Sequence, residues 1–128
     1  MNAQFRDAED LWNRAQNFGS GPLWLPFMYY TRAVSGYRLA HSASFKADVS
    51  AGYRDARNNV EKATNALPET RRRYAQSNNR EGLQACSELE GYINSLDKCV
   101  RSETAGAGGQ SNQQPAPRQW RAPYGGGR

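Results

Sequence analysis

From Tyr30 to Leu67 one stripe of side chains repeats without a break: Tyr30, Val34, Tyr37, His41, Phe45, Val49, Tyr53, Ala56, Val60, Ala63 and Leu67. Every step is three or four residues, the spacing that keeps side chains on one face of an α-helix. No proline interrupts the run, and Pro68 follows it directly. At a rise of about 1.5 Å per residue, a single helix over this stretch would be roughly 55 Å long. An apolar stripe of that length cannot be left in water, so it requires partner helices along its course. The steps of four between Tyr37 and Tyr53 rotate the stripe around the helix. That drift predicts either a bend near Gly36 or Gly52, or two helices joined near Ser42–Ser44.

The flanking segments supply the partners. Residues 3–18 predict a first helix, with Phe5, Ala8, Trp12, Ala15 and Phe18 on one face and Leu11 beside them. Gly19, Ser20, Gly21 and Pro22 end it. The aromatic cluster at 23–30 is expected to fold back and pack the first helix against the rest, with Pro26 in a helical first turn. After Leu67, the Pro68-Glu69-Thr70 stretch predicts a tight turn into another helix. There Ala75, Asn79, Gly82, Cys86, Leu89, Ile93, Leu96 and Val100 form a heptad seam. Folding about Pro68 would set Leu89, Ile93, Leu96 and Val100 opposite Val49, Phe45, His41 and Tyr37. The fold class is all-α: a long antiparallel helical hairpin with an additional N-terminal helix. Its seam residues Cys86, Leu89, Ile93, Leu96 and Val100 are candidates for joining two chains into a dimeric bundle. The domain is expected to span residues 1–103. Residues 104–128, rich in Gly, Gln and Pro and carrying arginines, predict a disordered tail.

Chemistry is sparse. His41 is the sole histidine and lies on the apolar stripe, where it reads as a packing residue. Cys86 and Cys99 fall on one predicted helix, about 20 Å apart along its axis, too far for a disulfide. Two distant cysteines and one histidine do not have metal-site spacing. No phosphate loop joins a strand to a helix. No catalytic residue, cofactor, metal or small-molecule substrate is therefore expected. The N-terminal residues lack the pattern of a signal peptide, and the longest apolar run, Leu23–Tyr30, is short of the roughly 20 residues that span a bilayer. A reduced, cytoplasmic, non-membrane setting is the expectation.

Charge says more. The chain carries +5 at neutral pH, with 14 arginines against three lysines. A basic balance favours an acidic partner such as nucleic acid, and the planar guanidinium suits phosphate better than an ammonium does. Arg38, Lys46, Arg54 and Arg57 fall on one shoulder of the Tyr30–Leu67 stripe, while Asp48 and Asp55 fall on the other. Arg73 and Arg80 follow near the bend. Against a ligand role stand three internal pairings at helical spacing: Arg57 with Glu61, Glu69 with Arg73, and Asp97 with Arg101. In the tail, Arg118, Trp120, Arg121, Tyr124 and Arg128 mix cations with stacking rings.

In length, charge, hairpin and Pro-containing C-terminus the chain resembles the nodavirus silencing suppressors, with a short echo at Asp55-Ala56-Arg57-Asn58-Asn59-Val60. That resemblance implies a dimeric helical bundle that binds double-stranded RNA along one face, as a viral suppressor in the host cytoplasm. The N-terminal helix and its aromatic cluster depart from that pattern. The expected function is sequence-independent binding of structured RNA through Arg38, Lys46, Arg54, Arg57, Arg73 and Arg80. The alternative is a homo-oligomeric helical scaffold that binds proteins through its seam.

Overall fold

The computed structural model describes residues 2–18 and 21–109, with side chains described over 8–17 and 21–105. The described residues form four α-helices: α1 (Asn2–Phe18), α2 (Leu25–Ser42), α3 (Lys46–Gln76) and α4 (Arg80–Gly109). A short 3₁₀ turn over Gly21–Trp24 leads into α2. There is no strand among the described residues, and none of their helices is long and apolar enough to cross a membrane.

The Tyr30–Leu67 stretch is two helices. Ala43 and Phe45 adopt extended backbone, and the Ser42 hydroxyl donates back to the Arg38 carbonyl at 2.9 Å. A serine satisfying the backbone in this way weakens the helix it ends. The two helices then pack face to face at very close range. Cβ atoms built on Gly36 and Gly52 would lie 2.8 Å from the Gly52 carbonyl oxygen and 2.6 Å from the Ala40 nitrogen respectively. Gly36 and Ala40 on α2 thus oppose Gly52 and Ala56 on α3, one helical turn apart on each side. Absent side chains let the backbones touch, and dispersion attraction rises steeply with that approach.

The predicted turn at Pro68 does not form. Pro68 sits inside α3, on its exposed side, and the apolar stripe continues through it as Leu67, Thr70 and Tyr74, all buried. Burial of that stripe offsets the roughly 3 kcal/mol that an interior proline costs a helix. The chain turns at Ser77–Asn79. Asn79 donates its backbone N–H to the Tyr74 carbonyl at 2.9 Å, and Asn78 donates to Ala75 at 3.1 Å. Asn78 itself takes φ 56°. These bonds form a Schellman motif, with asparagine tolerating the left-handed position. Asn79 then caps α4, its Oδ1 accepting from the Gly82 N–H at 2.9 Å.

Moving the turn shifts every partner. The Tyr74 ring lies on Gly82 and Tyr53 reaches Glu103, each pair placed evenly about Asn78. Phe45, expected to meet Ile93, is instead 71% exposed. Ala75 and Asn79, expected in the heptad seam, belong to the end of α3 and the turn. From Gly82 onward, Cys86, Leu89, Ile93, Leu96 and Val100 are buried in the core of the single chain.

The aromatic cluster does fold back onto α1. Trp12 and Trp24 meet edge to face at 5.8 Å, Pro26 occupies the first turn of α2, and Phe27 and Tyr30 are buried. Leu11, beside the predicted α1 face, is buried with Ala8 and Ala15. Arg14 clamps α1 to α4 through both oxygens of Glu88, at 3.1 and 3.2 Å. The folded region also runs past the expected boundary at 103, since α4 continues to Gly109. The rest of the predicted tail, 110–128, lies outside the described residues.

Cys86 is buried and Cys99 half-buried. Burial pushes the Cys86 thiol from its ordinary 9.0 up to about 11, with the Arg71 charge opposing weakly. Burial likewise raises Cys99 to about 11 and Tyr74 to about 12. A raised folded-state pKa adds stability that is whole below the unfolded value and lost as pH climbs through the folded one. Two pH units at one thiol correspond to about 2–3 kcal/mol. The melting temperature is therefore expected to hold up to about pH 8 and fall steeply by about pH 10.5. Cys86→Ala should flatten the fall, and an unchanged alkaline slope in that variant would remove Cys86 as its cause.

Candidate nucleic-acid interface

The first half of α3 and the second half of α4 enclose an open groove of about 930 Å³. Arg54 and Arg57 reach it from α3, and Arg101 reaches it from α4. Glu61 and Asp97 stand among them, with Asn58, Asn65 and Asn94 along the walls. A second, mostly apolar hollow of about 560 Å³ continues towards the Asn78 turn, sharing Thr64, Ile93 and Asn94 with the first.

The ion pairs sort the cations. Arg14, Arg71, Arg72, Arg73 and Arg101 each meet a carboxylate within 3.5 Å. Lys46, Arg54 and Arg57 are exposed and make no ion pair with a described residue. Of the three pairings expected from spacing, Glu69–Arg73 forms at 2.7 Å and Asp97–Arg101 at 2.8 Å, while Arg57–Glu61 does not form. Lys46, Arg54 and Arg57 follow one face of the N-terminal half of α3 over about 17 Å, while Arg32, Lys62, Arg80 and Lys98 stand exposed elsewhere, likewise without an ion pair to a described residue.

The remaining predicted contacts are dispersed. Arg38 is half-buried and its Nε has no exposure, so it belongs to the packing rather than to an open shoulder. Arg73 shares the Glu69 carboxylate with Arg72, and hydrogen bonds from these two arginines hold that carboxyl below its ordinary value. Arg80 stands exposed at the start of α4, away from the groove. Two of the six predicted residues, Arg54 and Arg57, share the groove. Arg101 completes the set unpredicted, because a turn at Pro68 would have placed it elsewhere.

At the end of the groove marked by Tyr53 and Thr104 lies the other polar constellation. The Glu103 carboxylate accepts from Tyr37 Oη at 2.7 Å, from Tyr53 Oη at 2.8 Å and from His41 Nε2 at 2.9 Å. An ionised carboxylate can only accept, so Nε2 carries the hydrogen. Burial alone would raise the Glu103 pKa. The three hydrogen bonds outweigh burial and hold the carboxyl below its ordinary value. Burial, then the hydrogen bond to Glu103, keeps the Tyr37 phenol protonated well above its ordinary range. Through Glu103 this cluster ties α2, α3 and α4 together. Among the described residues no three His, Cys, Asp or Glu side chains gather to hold a metal. No family model, curated protein or solved structure matches the chain.

Proposed function

We propose that the protein binds structured RNA without reading its sequence, laying the phosphate backbone against the α3 face that bears Lys46, Arg54 and Arg57. The observation that carries this reading is that three exposed cations with no ion pair to a described residue share one face of α3, two of them lining the groove. Unpaired guanidinium groups on a rigid helix can take phosphate oxygens bidentately without first breaking an internal bond. A duplex RNA is bound by shape and backbone contacts, since its deep groove hides the base edges. A homodimer in the cytoplasm, such as a viral suppressor of silencing, belongs to the same reading.

Arg54→Ala/Arg57→Ala is expected to weaken duplex RNA binding and to lower the log–log salt slope by about one unit per arginine. Gel-shift titrations at two salt concentrations measure both. No shift by the unmodified protein at micromolar concentration and low salt would sink the reading.

A second reading, a homo-oligomeric scaffold, draws on Phe45 and Leu39, which stand 71% and 43% exposed around the α2–α3 turn. It predicts salt-insensitive self-association that Phe45→Ser abolishes, with no nucleic-acid binding.

A further inference from the structure

Two hollows meet between α3 and α4, and their chemistry differs. The first presents Arg54 and Arg57, exposed and without an ion pair to a described residue, beside Arg101, which Asp97 holds at 2.8 Å. The second encloses about 560 Å³ between Leu67, Pro68, Ala75 and Ile93. Its rim charges are already matched, since Arg71 meets Glu90 at 2.9 Å and Arg72 meets Glu69 at 2.6 Å. Thr64, Ile93 and Asn94 line both hollows, so one opens into the other.

Polar side chains mark the junction. The Thr64 hydroxyl donates to the Val60 carbonyl at 2.9 Å. Asn94 is exposed and makes no hydrogen bond to a described residue, and the same holds for Asn58 and Asn65 in the first hollow. Asn59, next to Asn58 but outside the groove, instead donates to the Asp55 carbonyl at 2.9 Å. Asparagine is a poor helix former, and these three contribute no hydrogen bond to the fold. Each offers a donor and an acceptor side by side, and Asn94 does so where the apolar hollow begins.

We infer, resting on the phosphate-binding reading of α3, that the hollow seats the base of one unpaired nucleotide in a structured RNA, with neighbouring phosphates on Arg54 and Arg57 and the base edge on the Asn94 carboxamide. Charge complementarity selects this occupant. What enters the hollow must be neutral, because the rim charges are paired, and it must hang from an anionic chain, because Arg54 and Arg57 stand open beside it. A nucleotide divides in that way. A base within a continuous duplex cannot enter, since pairing and stacking hold it inside. A bulged or overhanging base can be splayed out, packed between apolar side chains and bonded along its edge. The volume falls within the roughly 300–1,000 Å³ of small-ligand pockets. Thr64 follows Arg57 by seven positions, about 10 Å along α3, so the phosphate contacts and the seat adjoin. Glu61 lies between them and keeps a phosphate from settling at the seat, while a ribose hydroxyl can donate to it. A carboxamide can turn either its donor or its acceptor to the ligand, so the seat takes any base, in keeping with binding that ignores sequence.

Fluorescence anisotropy of the full chain with two RNAs at low salt tests this: a blunt, fully paired duplex and the same duplex with one bulged adenosine. The bulged RNA should bind about tenfold more tightly, the scale that one stacked base contributes. Ala75→Phe, at an exposed position on the wall, fills the hollow and should bring the ratio to about one. Asn94→Ala leaves the hollow open and should lower the ratio several-fold, with helical circular dichroism unchanged in both variants. With 2-aminopurine at the bulge, emission should rise as the base leaves the stack for the unmodified protein, and stay at the level of free RNA with saturating Ala75→Phe. Equal affinity for the two RNAs overturns the inference alone and leaves the hollow to an apolar side chain of a protein partner. No binding of either RNA at micromolar protein overturns it together with the phosphate-binding reading. A preference that survives both substitutions places the unpaired base elsewhere and overturns the inference alone.

Discussion

Gly52→Val is expected to destabilise the protein by about 3 kcal/mol or more, through overpacking at a site with no room to relax. A Cβ at Gly52 would stand 2.6 Å from both the Ala40 nitrogen and the Gly36 carbonyl oxygen. Those atoms belong to helical backbone, which cannot swing aside as a side chain can. The two helices would have to separate, and the contacts of Ala33, Gly36, Ala40 and Ala56 would loosen together. Domains of this size have only about 5–15 kcal/mol of net stability, so the loss is a large fraction of the total. Gly52→Ala gives the sharper comparison. In an ordinary helix that change gains about 1 kcal/mol from propensity. Here the methyl group meets the same backbone atoms, and a net loss is expected. Urea unfolding of the three proteins decides the matter. A higher midpoint for Gly52→Ala would show that the helices do not depend on their close approach.

Glu103→Ala is expected to cost about 3–5 kcal/mol. The substitution removes one acceptor but leaves three donors, Tyr37 Oη, His41 Nε2 and Tyr53 Oη, stranded in a half-buried setting. Each stranded buried donor costs about 1–3 kcal/mol, and His41 retains some access to water, at 17% exposure. Glu103→Gln keeps an acceptor oxygen and should fall between. The pH dependence has a definite sign. The folded state lowers the carboxyl from its ordinary 4.5, so the contribution is whole above about pH 4.5 and disappears as pH falls through the lowered value. The unmodified protein should lose more stability on acidification from neutral pH than Glu103→Ala does. Parallel acid profiles for the two proteins would assign the loss to other carboxylates.

Much of this architecture is legible in the residues, and its failures have physical causes. The apolar periodicity gives four helices because burial of one face per helix is what stabilises each of them. The rotation of the stripe between Tyr37 and Tyr53 marks the break at Ser42–Phe45. What misleads is Pro68. Proline is a strong breaker in isolation, but Ala56, Val60, Ala63, Leu67, Thr70 and Tyr74 keep a three-four spacing through it, and packing of that stripe prevails. The true turn, Ser77-Asn78-Asn79, carries a weaker signal, since asparagine at the left-handed position is informative only beside a helix end. One misplaced turn reassigns every opposite pair on α3 and α4. A turn at Pro68 would set Arg101 opposite α2 and away from Arg54 and Arg57. Glu103 is hidden in the sequence for another reason. It occupies the next seam position after Val100, and a carboxylate there reads as the end of a core rather than as its polar clasp. Charge sorting on α3 was readable. Which cations remain unpaired was not, because spacing alone cannot tell that Arg57 and Glu61 stay apart while Asp97 and Arg101 join.

The two short turns also set the order in which the chain can assemble. α2 and α3 are joined by three residues, as are α3 and α4, so each of these pairings closes a small loop at low entropic cost. Chains dominated by such near-neighbour contacts fold on fast timescales. The Tyr37–Glu103 bond spans 66 positions and the Arg14–Glu88 bond 74, and these are closures that the local hairpins must precede. Glu103 then acts as a latch set after the helices are in register. Removing a latch of that kind speeds opening far more than it slows closing, so the carboxylate governs how long the bundle persists between openings.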